Sequence, residues 1–222
     1  MTIEWLAGNR LRGTTAEKPV ASLTGVGGWV ELGRTTLGSA NTTMNISSLP
    51  DKRYLMYLGD IKGQSSNNDA MLQYNSSTSG YAKRSSDIGN ADSTEINLSQ
   101  VQVGSHTAST ISGFDMGYIA NLSGKEKLNQ SWSVTTATGG ASTVPYRWEG
   151  VGKWANTSAS INEIDFKTSA TQTWTSGSEV VVLGWDPTDT HTTNFWEELA
   201  SVTTSGAGTS ISSGTFTAKK YI

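Results

Sequence analysis

Asp186, Asp189 and His191 place two carboxylates and an imidazole within six residues. Such donors could hold calcium or a transition metal. Calcium loops need more closely spaced oxygens, however, and Pro187 ends a strand while aspartates cap turns. Residues 186–195 are therefore read as a polar linker, and neither a metal nor a cofactor is expected. His106 and His191 are the two histidines, each set among Ser, Thr and other small or polar residues. That setting is read as a solvated loop. No G-x-S-x-G elbow marks a serine hydrolase. With no cysteine, thiol nucleophiles and zinc-thiolate sites are excluded together. Glu197-Glu198 would need a further carboxylate beside it to do acid–base work. A catalytic role is not expected.

Aromatic residues offer a different chemistry. Trp132, Trp148, Trp154 and Trp174 are candidates for a platform on which sugar rings stack. Sandwich cores also use tryptophan freely, and core positions are the preferred reading for all four. Seven Asn-x-Ser/Thr sequons, at Asn41, Asn45, Asn75, Asn97, Asn121, Asn129 and Asn156, would matter only on a eukaryotic secretory route.

Charged residues make up only 16% of the 222-residue chain, and 24 glycines accompany abundant Ser and Thr. That mixture writes turns and short strands rather than helices. Eight tryptophans argue for packed layers and against disorder. A formal charge of −3 with no basic run gives no affinity for phosphate backbones or anionic lipid. No stretch approaches 18 apolar residues. The opening, Met1 to Pro19, lacks the pattern of a secretory leader. A protein acting outside a cell would then leave by lysis or with a particle.

From Trp29 onward, short apolar stretches alternate with Gly, Ser and Asn clusters. The spacing predicts strands over 29–37, 43–47, 53–61, 70–75, 79–84, 94–103, 113–121, 127–135, 145–155, 160–167 and 179–185. Tyr54–Leu58 is wholly apolar or aromatic and is expected to be a central strand covered on both faces. The alternation over Glu95–Val103 slips once, at Ser99-Gln100, which suggests a bulge. The expected fold is all-β, a two-sheet antiparallel sandwich of jelly-roll-like type over 29–185. Residues 1–28 are read as an N-terminal arm or linker.

A shift of 167 positions aligns Trp29-Val30-Glu31-Leu32 with Trp196-Glu197-Glu198-Leu199, and Lys52-Arg53-Tyr54-Leu55 with Lys219-Lys220-Tyr221-Ile222. Residues 196–222 are accordingly read as the start of a second repeat. By analogy they should form strands near 196–204 and 215–222. Trp196, Leu199, Ile211, Phe216 and Tyr221 would then be assembly residues, docking by strand addition on a neighbouring copy.

Three stretches carry a resemblance: Met1–Arg10 with Arg12-Gly13-Thr14, Arg147–Ser158, and Gly177–Gly184. They resemble repeat-containing β-sandwich structural proteins of phages and environmental viruses. The resemblance implies a non-enzymatic, self-associating structural protein of a virion or extracellular assembly, with other structural subunits as partners and no nucleic acid or membrane. The alternative is a carbohydrate-binding or receptor-binding module, which an aromatic row on one exposed face would favour.

Overall fold

The computed structural model describes residues 28–106, 112–136, 140–186, 199, 202, 206, 208, 210 and 212–221. Twelve strands are present: β1 (Val30–Thr36), β2 (Thr43–Ile46), β3 (Tyr54–Ile61), β4 (Asn68–Tyr74), β5 (Tyr81–Asp87) and β6 (Ser93–Leu98), followed by β7 (Val101–His106), β8 (Gly113–Ala120), β9 (Lys127–Thr135), β10 (Tyr146–Trp154), β11 (Ile164–Thr168) and β12 (Glu179–Trp185). Among the described residues there is no helix. All strand pairs are antiparallel.

One sheet has eight strands in the order β1-β12-β3-β8-β9-β10-β5-β6, and the other has four, β2-β11-β4-β7. Setting β1-β12-β3-β8 against β2-β11-β4-β7 gives the connectivity of an eight-stranded jelly roll, two interlocked Greek keys. Two insertions enlarge it. β5 and β6 lie in sequence between β4 and β7, and β9 and β10 between β8 and β11. Both join the same sheet beyond β8. The added strands thus double the width of one layer.

Apolar side chains from both layers meet between the sheets. Met44, Leu72 and Phe166 of the smaller sheet pack with Leu55, Tyr57, Val180 and Val182 of the larger, beside the buried loop residue Trp174. Each large side chain so buried stabilises the fold by roughly 1.5–3 kcal/mol. β3 is central, flanked by β12 and β8, and buried on both sides as its unbroken apolar run predicts.

The expected strand over 94–103 proves to be two. Asn97 takes a left-handed φ of 57°, and Ser99-Gln100 forms a bend. The chain there leaves the larger sheet and enters the smaller one. The slip at Ser99-Gln100 therefore marks a change of layer, and a register shift lies just before it, where the step from Glu95 to Leu98 faces the shorter step from Lys83 to Tyr81. Exposed β6 residues give way to Val101 and Val103, both fully buried.

Side-chain amides staple the loops. Asn121 is buried, accepts from the Ile161 backbone N–H at 2.8 Å and donates to the Lys52 carbonyl at 3.0 Å. Asn75, in left-handed conformation, accepts from Asn162 N–H (2.9 Å) and Glu163 N–H (3.1 Å) and donates to Ser160 O (2.8 Å). Two of the sequons are thus internal struts.

Candidate functional site

In β9 the usual alternation is turned inside out. Its buried residues are Lys127, Asn129, Ser131, Ser133 and Thr135, while Leu128, Gln130 and Val134 are exposed and Trp132 is half-buried. β8 repeats the pattern: Gly113, Asp115 and Gly117 point inward with Ile119, and Phe114, Met116, Tyr118 and Ala120 point outward. A sheet facing only water places its polar residues outside. Here the outer face of the larger sheet is apolar.

Register shows how far that face extends. Across β12, β3, β8, β9 and β10, one row runs Val181, Leu58, Met116, Trp132, Glu149, and the next runs Leu183, Met56, Tyr118, Gln130, Val151. A third runs Trp185, Tyr54, Ala120, Leu128, Lys153. Five aromatic rings form a continuous chain over these rows. Tyr54 stacks on Trp185 at 5.2 Å, Trp185 meets Trp29 at 6.2 Å, Trp29 meets Tyr118 at 6.0 Å, and Tyr118 meets Trp132 edge-on at 6.2 Å. An aromatic row on an outer face is present.

One part of the face is covered by the chain itself. Met56, Leu58, Val181 and Leu183 form a second apolar cluster, against which Trp29, Phe114, Met116 and Tyr221 pack. Glu179 anchors the Tyr221 end: Lys220 Nζ donates to it at 2.8 Å, Thr36 Oγ1 at 2.6 Å and Arg34 at 2.7 Å. Lys220 also pairs with Asp60 at 3.1 Å. Burial alone would raise the Glu179 carboxyl, but hydrogen bonds from Lys220 and Thr36 and the Arg34 charge outweigh it and hold the carboxyl below its ordinary value.

The other part is open. An apolar channel of about 840 Å³ runs from Trp29, Tyr54 and Trp185 past Tyr118 and Leu128 to Ile96. Ile96 is 74% exposed, Leu128 54% and Val151 50%, so this stretch has no cover among the described residues. The charges at its far margin come in opposite-signed pairs, Lys83–Glu95, Arg84–Asp92 and Lys153–Glu126. Beside it lies a smaller groove of about 240 Å³, lined by Trp132 with Arg84, Asp92, Gln130 and Glu149.

The sequence candidates fall into three groups. Trp148, Trp154 and Trp174 are buried, with at most 3% exposure, and present no ring face to a sugar in solution. Their size fills the space between layers, as where Trp148 lies over Gly150 and Trp154 stacks on Tyr81. Trp132 alone of the four reaches the outer surface. Of the tail, Tyr221 packs on Phe114 of its own chain (6.1 Å), and Phe216 is 41% exposed. No strand occurs over 215–221, contrary to the repeat-based expectation, because side-chain ion pairs and ring contacts hold the tip without a backbone ladder. Leu199 is partly buried and Asp186 follows directly on β12. Asp189, His191, Trp196 and Ile211 lie outside the described residues, as does most of 196–204. Among the described residues no cluster of metal-ligating side chains occurs.

His106 corrects the reading of a solvated loop. It ends β7, is 1% exposed, and its Nε2–H donates to Asp115 at 3.0 Å. The Trp174 ring meets its edge at 5.3 Å. Glycines make room for the pair: a Cβ on Gly104 would strike Asp115 Oδ1, and one on Gly113 would strike the His106 ring. Both side chains are fully buried.

No protein-family model matches the chain, and neither a curated protein nor a solved structure matches it significantly.

Proposed function

We propose that the protein is a non-enzymatic assembly module, a structural subunit of a virion or extracellular assembly, that associates with a second copy through the outer face of its larger sheet. The inverted alternation of β8 and β9 carries this reading. Two adjacent strands turn Phe114, Met116, Tyr118, Leu128 and Val134 outward while burying lysine, asparagine, serine and threonine. Leaving such a face in water forfeits the stabilisation that its burial would give, and extended exposed apolar patches mark association sites. A copy of the same chain suits it electrostatically. Three cations and three anions at the far margin pair off locally, so two such margins meet without net repulsion. The resemblance to viral structural proteins and the jelly roll's use in capsid domains add weight at the level of analogy alone.

Sedimentation velocity over a micromolar concentration series tests it. Wild type should form dimers or larger species, and the double variant Ile96→Asp with Leu128→Asp should sediment as a monomer with an unchanged melting temperature. A wild-type monomer at high micromolar concentration, or an oligomer indifferent to both substitutions, would overturn the reading.

A further inference from the structure

We infer that the groove over Trp132 is a binding site for a neutral saccharide, separate from the apolar channel beside it. The two depressions share a wall formed by Arg84, Gln130 and Val151, and their floors differ in chemistry. The channel is lined by aliphatic and aromatic side chains. The groove sets one indole among two carboxylates, a guanidinium, a carboxamide and the hydroxyl of Ser86.

That composition selects a ligand class. Trp132 and Tyr118 meet edge-to-face, at an interplanar angle of 83°, a contact that limits the indole's orientation before anything binds. A fixed, half-exposed aromatic face suits the C–H face of a pyranose, an amphipathic surface with hydroxyls around its rim. Glu149 is the direct cross-strand neighbour of Trp132, and Gln130 lies two residues before Trp132 on the same face. Each can take adjacent hydroxyls, a carboxylate by accepting and a carboxamide by doing both. The guanidinium of Arg84 lies 3.5 Å from Asp92, and that of Arg147 lies 3.6 Å from Glu149. These pairings pre-position the carboxylates and leave further N–H groups to donate. Each carboxylate is matched by a guanidinium, Asp92 by Arg84 and Glu149 by Arg147, so the groove carries no net charge to draw a sulfated, phosphorylated or sialylated ligand. An elongated purely apolar ligand would gain more from the neighbouring channel. The groove is open at its ends, and its size fits one sugar residue of a longer chain.

The experiment is isothermal titration of the full chain with unbranched neutral tetrasaccharides of glucose, galactose, mannose and N-acetylglucosamine, with tryptophan emission followed in parallel. At least one should bind saturably at micromolar to millimolar concentration and shift the emission. Trp132→Ala should weaken that binding about tenfold or more. Glu149→Gln, a change at an exposed side chain that leaves the fold undisturbed, should weaken it several-fold. Ile96→Asp with Leu128→Asp, which disrupts the channel, should leave it within about twofold, so loss of association and loss of sugar binding are read separately. Absence of saturable binding by all four sugars, or binding unchanged in both Trp132→Ala and Glu149→Gln, would overturn the inference.

Discussion

His106 Nε2 lies 3.0 and 3.2 Å from the two carboxylate oxygens of Asp115, and neither side chain has any exposed surface. The bond ties the end of β7 in the smaller sheet to β8 in the larger one. Removing one partner strands the other without water. His106→Ala should therefore cost about 3–5 kcal/mol, measured by urea unfolding. Asp115→Asn, which keeps an acceptor for the ring, should cost less. Equal losses from the two variants would show that charge, and not the hydrogen bond, is what matters.

Gly104 tests the close approach of the layers at the same place. Its missing Cβ leaves the space that Asp115 Oδ1 occupies. Gly104→Ala should destabilise by about 1–3 kcal/mol through overpacking. Gly38, with open space around it and no left-handed φ, is the comparison for a glycine under no such constraint.

The anchoring of the C-terminal tip should depend on pH, with a sign that follows from the charges. Folded Glu179 titrates below the ordinary glutamate value, so the unfolded chain binds more protons through that range. Its contribution is complete above the unfolded value and is lost as pH falls through the folded one. Burial would lower Lys220, but the hydrogen bonds it donates to Glu179 and Asp60 outweigh that and raise it. Its contribution is present at neutral pH and is lost as pH climbs past the folded value. Because Lys220 is more than a third exposed, the contact is worth at most about 1 kcal/mol. Wild type should melt slightly above Lys220→Met at neutral pH, and the two curves should converge in acid. A difference that grew as pH fell would reverse the assignment.

Asn121 is expected to behave as a strut. Asn121→Ala removes two hydrogen bonds and leaves the Ile161 N–H buried without a partner, at a cost of about 2–3 kcal/mol. Hydrogen exchange at Ile161 should rise with it. Unchanged protection there would mean that the loop is held by other contacts.

Much of the fold was legible because strand patterning is local. The run Tyr54–Leu58, the alternation of 127–135 and the apolar 179–185 stretch each became a strand near its expected bounds. What alternation cannot give is which side faces in. In Lys-Leu-Asn-Gln-Ser-Trp-Ser-Val-Thr, the ordinary rule would send Leu128 and Trp132 to the core, yet Lys127 and Ser131 are there instead. Lys127 tolerates it because its Nζ donates to the carbonyls of Leu122 and Lys125. The surface built from Tyr118, Leu128, Val151 and Ile96 was missed for that reason. A clue existed in the small inward set Gly113, Asp115 and Gly117 alternating with Phe114, Met116 and Tyr118. The aromatic chain depends on register between positions 29, 54, 118, 132 and 185, which no local pattern encodes. His106 was misread because its partner, Asp115, sits across a layer boundary.

The pairing of β1 with β12 sets Val30 opposite Gly184, so the first and last strands of the sandwich begin and end at the same corner. A pull applied through the segments flanking them would load that ladder at one end only. Its hydrogen bonds would then break in succession rather than sharing the force, as a zipper opens. Once the Lys220–Tyr221 tip has let go, the ladder would begin to open by the peeling of β1, which uncovers the edge of β12 while the central strands stay shut. A body tethered at both ends would thus yield gently at low force and keep its core, a mechanical fuse at the seam where its chain enters and leaves.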